Sequence, residues 1–296
     1  MQAINTENIT IDKLSIPLLK RKKVNVDILR LDKIHPLISG NKWFKLRYYI
    51  EEAKQQNKKT ILTFGGAWSN HILATAAICK IKQLHSIGII RGEEAEDLSY
   101  TLSQAKELGM QLFFISRNDY QEKKIPSALD NTDYYQIAEG GFGKQGAAGA
   151  ATILDHCKIE NYSHICCAAG TGTMAAGLLR KISPTQQVVA ISVLKNYLEM
   201  EETIKKITDK PERNLTVNHN YHFGGYAKHK PALLEFMNEF YNQTSIPTDF
   251  VYTGKLCYAI MDMIKENYFS EGSNLLLIHS GGLQGNASLS KRTLIF

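Results

Sequence analysis

Apolar and polar residues alternate with a period of two at Val24-Asn25-Val26-Asp27-Ile28. After Gly40 the spacing changes to that of an amphipathic helix over Lys45-Leu46-Arg47-Tyr48-Tyr49-Ile50-Glu51-Glu52-Ala53. A half-buried strand is therefore expected to lead through a glycine turn into a helix. The order recurs: the β-branched and aromatic run Thr60 to Phe64 precedes Gly65-Gly66 and an apolar helical stretch from Ile72 to Ala77. Strands are expected again at Ser86 to Ile90, Gln111 to Ile115 and Tyr134 to Ile137, with helices near Tyr100 to Leu108 and before Tyr134. Glu139-Gly140-Gly141-Phe142-Gly143 breaks the chain, and Gln145 to Cys157 reads as an Ala-rich helix. Beyond it, His164 to Ala168, Val188 to Leu194 and Asn274 to Ile278 are apolar strands, and Pro231 to Tyr241 is helical. Strands alternating with helices predict an α/β fold with a largely parallel sheet, and the glycine-rich break marks a crossing between domains.

At 296 residues and 44% hydrophobic composition, the chain can bury the core of two domains or of one large α/β unit, and disorder is excluded. The formal net charge of +6 permits an anionic ligand. Lys and Arg are spread along the chain and form no stripe suited to nucleic acid, so a small anionic substrate or a phosphorylated cofactor fits better. Cys79, Cys157, Cys166, Cys167 and Cys257 have no zinc-like spacing and read as buried, reduced thiols. No apolar run approaches the ~20 residues needed to span a bilayer, and the polar start of the chain has no signal-peptide character, so the expected location is the cytoplasm.

The candidate chemistry sits where these elements meet. Lys42 opens a helix, where the helix dipole and partial burial both favour the neutral amine over the ammonium, the form needed for a Schiff base. Lys45 shares its helix face and can meet an anion held nearby. In Gly65-Gly66-Ala67-Trp68-Ser69-Asn70-His71, Ser69 or Asn70 can cap the next helix, whose first-turn amides would attract a carboxylate or phosphate; the same residues suit a simple N-cap. The second strand-to-helix junction, Ala169-Gly170-Thr171-Gly172-Thr173, combines glycines, hydroxyls and a helix N-terminus into a phosphate-type loop. Gly170-x-Gly172-x-x-Ala175 also matches a dinucleotide fingerprint, which keeps a nicotinamide-dependent oxidoreductase or a non-catalytic binding protein in view. The next strand ends at Lys195, however, and lacks the acid that binds a ribose. Tyr226, Tyr252 and Thr253 to Lys255, and His279-Ser280-Gly281-Gly282, lie beside glycines at element boundaries, where site residues gather in parallel folds.

Taken together, Gly40-Asn41-Lys42-x-x-Lys45-Leu46, Gly65-Gly66-x-x-Ser69-Asn70-His71, the Gly170 to Thr173 loop, Tyr252-Thr253-Gly254-Lys255 and His279-Ser280-Gly281-Gly282 resemble the pyridoxal-phosphate enzymes of the tryptophan-synthase β-like fold. The similarity is greatest to the family of 1-aminocyclopropane-1-carboxylate deaminases and D-cysteine desulfhydrases, and it runs from about Leu14 to Gly282. The resemblance implies two domains: a larger cofactor domain from residues 1–47 and 156–296, and a smaller inserted α/β domain over residues 48–155. It implies pyridoxal 5'-phosphate as cofactor, Lys42 as the Schiff-base lysine, Asn70 at the ring oxygen, and Lys45 with Gly170, Thr171, Gly172 and Thr173 around the phosphate.

It further places a substrate carboxylate on Ser69, Asn70 and His71, with Ser69 near the reacting carbon and Tyr226 and Tyr252 as active-site tyrosines. Gln is more usual in the family where His71 stands, and Gly224-Gly225-Tyr226-Ala227 follows the family pattern loosely. Thr253 and Ser280 would face the pyridine nitrogen. Deaminases of the family carry Glu and Leu at these positions, and desulfhydrases carry hydroxyls. The expectation is β-elimination from a small amino acid such as D-cysteine in a homodimer, with 1-aminocyclopropane-1-carboxylate deamination, giving 2-oxobutyrate, as the alternative.

Overall fold

The computed structural model describes residues 4–38, 40–208 and 214–296; Ser39, part of the motif around Lys42, lies outside them. The chain opens with strand β1 (Ile11–Lys13), helix α1 (Pro17–Lys22), strand β2 (Asn25–Arg30) and helix α2 (Asn41–Gln55). Four strands alternate with helices next: β3 (Thr60–Gly65), α3 (Asn70–Lys82), β4 (His85–Arg91), α4 (Tyr100–Glu107), β5 (Met110–Ile115), α5 (Arg117–Gln121) and β6 (Tyr135–Ile137). Then come α6 (Lys144–Ala151), β7 (His164–Ala169), α7 (Thr173–Lys181), β8 (Gln187–Ser192), α8 (Met200–Ile207) and β9 (Leu215–Asn218). Helices α9 (Pro231–Thr244) and α10 (Thr253–Lys265) and strand β10 (Asn274–His279) complete the set.

The strands form two sheets, a six-stranded one in the order β1-β2-β10-β7-β8-β9 and a four-stranded one in the order β5-β4-β3-β6. Every ladder is parallel except β1 on β2. β2 and β10 run in register from Asn25 opposite Asn274 to Arg30 opposite His279, so the two ends of the chain share one sheet. Strands covered on both faces are apolar throughout. Ile165, Cys167, Val188, Ala190, Leu276 and Ile278 pack under α7, whereas Cys166, Ala168, Val189, Ile191, Leu275 and Leu277 pack under α10. Adjacent Cys166 and Cys167 thus point to opposite faces. All five cysteines are free thiols; four are buried as the sequence leads one to expect, whereas Cys157 is only half-buried.

The expected Gln145 to Cys157 helix stops at Ala151 and tightens into a 3-10 turn, Thr152–His156, where the Thr152 hydroxyl donates back to the Gly149 carbonyl at 2.7 Å. Helices α2, α6 and α7 stack through small residues. A Cβ on Gly149 would lie 1.9 Å from the Phe44 carbonyl of α2, and one on Gly177 would lie 2.5 Å from the Ala147 carbonyl. We propose that the domain division follows the two sheets, with α2 crossing it, since residue 47 falls inside that helix. Among the described residues, no helix is long and apolar enough to cross a membrane, and no group of three or more His, Cys, Asp and Glu could hold a metal ion.

Candidate active site

A cavity of about 610 Å³ opens at the C-terminal ends of strands from both sheets, the edge where parallel folds bind ligands. Its wall includes Asn41, Lys42 and Lys45 from the start of α2, and Ser69, Asn70 and His71 from the junction of β3 and α3. Arg91 joins from the end of β4, Gly170 and Thr171 follow β7, and Ser280 to Gly282 follow β10; Tyr226 and Tyr252 close it. Ten of the site residues singled out in the sequence therefore meet in one place: Lys42, Lys45, Ser69, Asn70, His71, Gly170, Thr171, Tyr226, Tyr252 and Ser280. Gly172, Thr173 and Thr253 are not on the wall. Thr173 is fully buried and bonds Thr171 through its hydroxyl at 2.8 Å.

Helix α2 starts at Gly40, held by a bond from the Asn41 amide to the Ser280 carbonyl at 3.2 Å. A Cβ on Gly40 would fall 1.7 Å from that carbonyl oxygen, so the approach demands glycine. Lys42 Nζ donates to Asn41 Oδ1 at 3.1 Å and lies 5.9 Å from the Tyr252 ring centre. Burial lowers its pKa from the ordinary lysine value to about 8, with the Asp249 carboxylate opposing the shift. Burial, reinforced by Lys42, depresses Lys45 well below its usual range. No hydrogen bond or ion pair holds Lys45 among the described residues, so a buried amine faces the cavity without a protein partner.

Ser69 caps α3, its Oγ accepting from the Ile72 amide at 3.4 Å. The Gln284 side chain donates to Asn70 Oδ1 at 2.9 Å, which turns the Asn70 amide nitrogen towards Gly282. His71 Nε2 bonds the Thr63 hydroxyl at 2.8 Å, while its buried Nδ1 has no partner. Burial, then Lys42 and Lys45, hold this imidazole well below the ordinary histidine value, so it is neutral.

Three further residues support the site, and the sequence reading gave them no role. Asp249 accepts bonds from the amides of Val251, Tyr252 and Thr253 at 2.8–3.0 Å, so it pins the start of α10. The Thr253 hydroxyl donates to the same carboxylate at 2.7 Å and also accepts from the Asp249 amide. It is thus spent on the helix start and does not line the cavity, where the resemblance had set it beside a ring nitrogen. Lys255 is fully buried and donates to the His222 and Gly225 carbonyls, both at 2.8 Å, which fastens the loop that carries Tyr226. Gln284 orients Asn70, as described above. The signal for Asp249 and Lys255 was their spacing around Tyr252; Gln284 had none.

A family profile described as pyridoxal-phosphate dependent enzyme matches residues 4–281. The chain belongs to that family. A Thermotoga maritima protein carrying a provisional 1-aminocyclopropane-1-carboxylate deaminase name is 30% identical over 294 residues, covering 90% of this chain and 92% of the relative. A Salmonella typhi protein named D-cysteine desulfhydrase is 24% identical over 281 residues, 86% of each chain. The crystal structure of an ACC deaminase homologue superposes with a TM-score of 0.81 at 25% identity, covering 94% of this chain and 90% of that one.

Pyridoxal phosphate is therefore the cofactor, and the nicotinamide reading of the Gly170 loop is set aside. The residues present fit it. The buried Lys45 amine has no hydrogen-bond or ion-pair partner among the described residues and would gain one in a phosphate, and α7 begins at left-handed Gly172 with no side-chain cap on its first amides. Lys42 supplies an amine that burial has made easy to deprotonate. The fold is an α/β arrangement of parallel-rich sheets flanked by helices, as expected.

Proposed function

We propose that this chain catalyses β-elimination from a small amino acid, with D-cysteine as the favoured substrate and pyruvate, ammonia and sulfide as products. In this reading Lys42 carries the cofactor, Lys45 and the Gly170 to Thr173 junction hold its phosphate, and Ser69, Asn70 and His71 hold the substrate carboxylate. The observation that supports the choice of reaction is chemical: Ser280 brings a hydroxyl to the cavity wall, and in this reading it meets the ring nitrogen. Glu139, the one carboxylate on the described wall, is already bonded to Lys123 at 2.7 Å.

When bound, pyridoxal phosphate supplies an electron sink for the α-carbon, strongest when an acid keeps its ring nitrogen protonated. A site with a hydroxyl rather than an acid there suits expulsion of a good leaving group better than opening of a cyclopropane ring. Lys42 Nζ takes the α-proton, the β-carbon to sulfur bond breaks, and the thiolate leaves with the bonding pair. Water then converts the released aminoacrylate into pyruvate and ammonia. Burial raises Tyr226, and raises Tyr252 well above the ordinary phenol range, so both hold their protons and can donate one to the leaving sulfur. Their rings meet edge-on, 6.1 Å between centres.

The test is a product panel on the purified enzyme. We expect pyruvate and sulfide from D-cysteine, little 2-oxobutyrate from 1-aminocyclopropane-1-carboxylate, and, after borohydride reduction, a pyridoxyl group on Lys42 alone. Robust 2-oxobutyrate with little sulfide favours the deaminase reading instead. We also propose a homodimer, to be checked by sedimentation equilibrium.

A further inference from the structure

The cavity wall holds more positive charge than the proposed reaction uses. Lys42 and Lys45 are assigned to the cofactor, and Lys123 is bonded to Glu139. Arg91 is left over. It ends β4 and lines the same cavity, and its guanidinium lies 5.8 Å from the Tyr120 ring centre. No hydrogen bond or ion pair joins it to another described residue. Its position is close to the substrate end. A methyl group built on Gly66 would lie 3.6 Å from Arg91 Nη2, and the Gly66 carbonyl closes the turn to the Ser69 amide at 3.0 Å. An unpaired guanidinium on a cavity wall presents a planar fork of donors matched to a carboxylate.

We propose that Arg91 binds a second carboxylate, carried by the substituent on the substrate's β-carbon, so that the enzyme takes amino acids whose leaving group is itself acidic. This rests on the reading above that the α-carboxylate is held by Ser69, Asn70 and His71 and therefore makes no call on Arg91. A fitting substrate is an S-carboxyalkyl cysteine. Removal of its α-proton and cleavage of the β-carbon to sulfur bond, with uptake of one water, gives pyruvate, ammonia and the mercapto acid.

The probes are S-carboxymethyl-D-cysteine and its neutral isostere S-carbamoylmethyl-D-cysteine, with the L forms in parallel. Each is offered to the holoenzyme and to Arg91→Gln, with both kcat/KM and calorimetric Kd measured. We expect the wild-type enzyme to prefer the acid over the amide by about three-fold in both quantities, the size of a charge pair at an exposed side chain. The preference should shrink as salt rises. Arg91→Gln should abolish the preference while leaving the amide within about two-fold of wild type.

An acid-to-amide ratio near one in the wild-type enzyme overturns the proposal. Equal losses for both probes in Arg91→Gln also overturn it, because they would place Arg91 on the α-carboxylate or in the framework. The calorimetric ratio separates the two readings: a preserved Kd preference without pyruvate removes the elimination chemistry and leaves Arg91 standing, and pyruvate without any preference does the reverse.

Discussion

Lys42 shows how a single position is tuned. With its pKa lowered to about 8, roughly a tenth of the side chain is neutral at pH 7, against less than a thousandth for a solvated lysine. The rate at which cofactor-free enzyme takes up pyridoxal phosphate should therefore climb as pH rises to about 8 and flatten above it. Asp249 raises this pKa, so Asp249→Asn should move the midpoint to lower pH, the direction set by removing a charge that favours the ammonium. Stopped-flow absorbance across that range checks both, and a pH-independent rate in the wild-type protein would contradict the assignment. His71, at a place where Gln is the more usual family residue, keeps the same role of a neutral polar group, because burial beside two lysines prevents its protonation.

At the scale of elements, the start of α10 and the loop before Tyr226 form one unit. Phe223, Gly224, Gly225 and Ala227 all have left-handed backbone angles, and Lys255 reaches across from α10 to hold two of this loop's carbonyls. Lys255→Met keeps the volume and leaves those carbonyls unpaired. We expect kcat to fall about ten-fold as Tyr226 loses its place, with KM for the substrate and the absorbance of the bound cofactor nearly unchanged. Unaltered kcat would show that the loop holds itself.

Much of this unit was hidden in the sequence for a definable reason. Strands β2 to β8 and β10 and the helices α2, α3, α4 and α9 were legible because their apolar spacing is regular. Residues Tyr252 to Lys255 read as a motif, and α10 went unrecognised behind it. Short β1, α1 and β9 carry too few residues for a period to emerge. The site glycines and Lys42, Ser69 and Asn70 were legible as strand-to-helix junctions. The bond from Thr253 to Asp249 was not legible, because spacing alone cannot say which neighbour a hydroxyl will bond.

At the scale of the molecule, α2 carries Lys42 at its start and rests on α6, which in turn rests on α7. Replacing glycine by alanine in an exposed helix usually stabilises it by up to about 1 kcal/mol. Gly149→Ala should do the opposite and cost at least about 3 kcal/mol in urea unfolding, because the added carbon would overlap the Phe44 carbonyl. Cofactor affinity should weaken with it, since the lysine rides on the displaced helix. A stability within 1 kcal/mol of wild type would mean that α2 and α6 separate freely.

The pairing of β2 with β10, and the bond from Asn41 to Ser280, also fix an order of events during synthesis. The four-stranded sheet uses only residues 60–137 and is free to assemble while the chain is still emerging. The lysine is made well before the strand it waits for. A ribosome-bound chain halted before Asn274 should therefore remain colourless in pyridoxal phosphate, and the colour should arrive only once β10 has emerged.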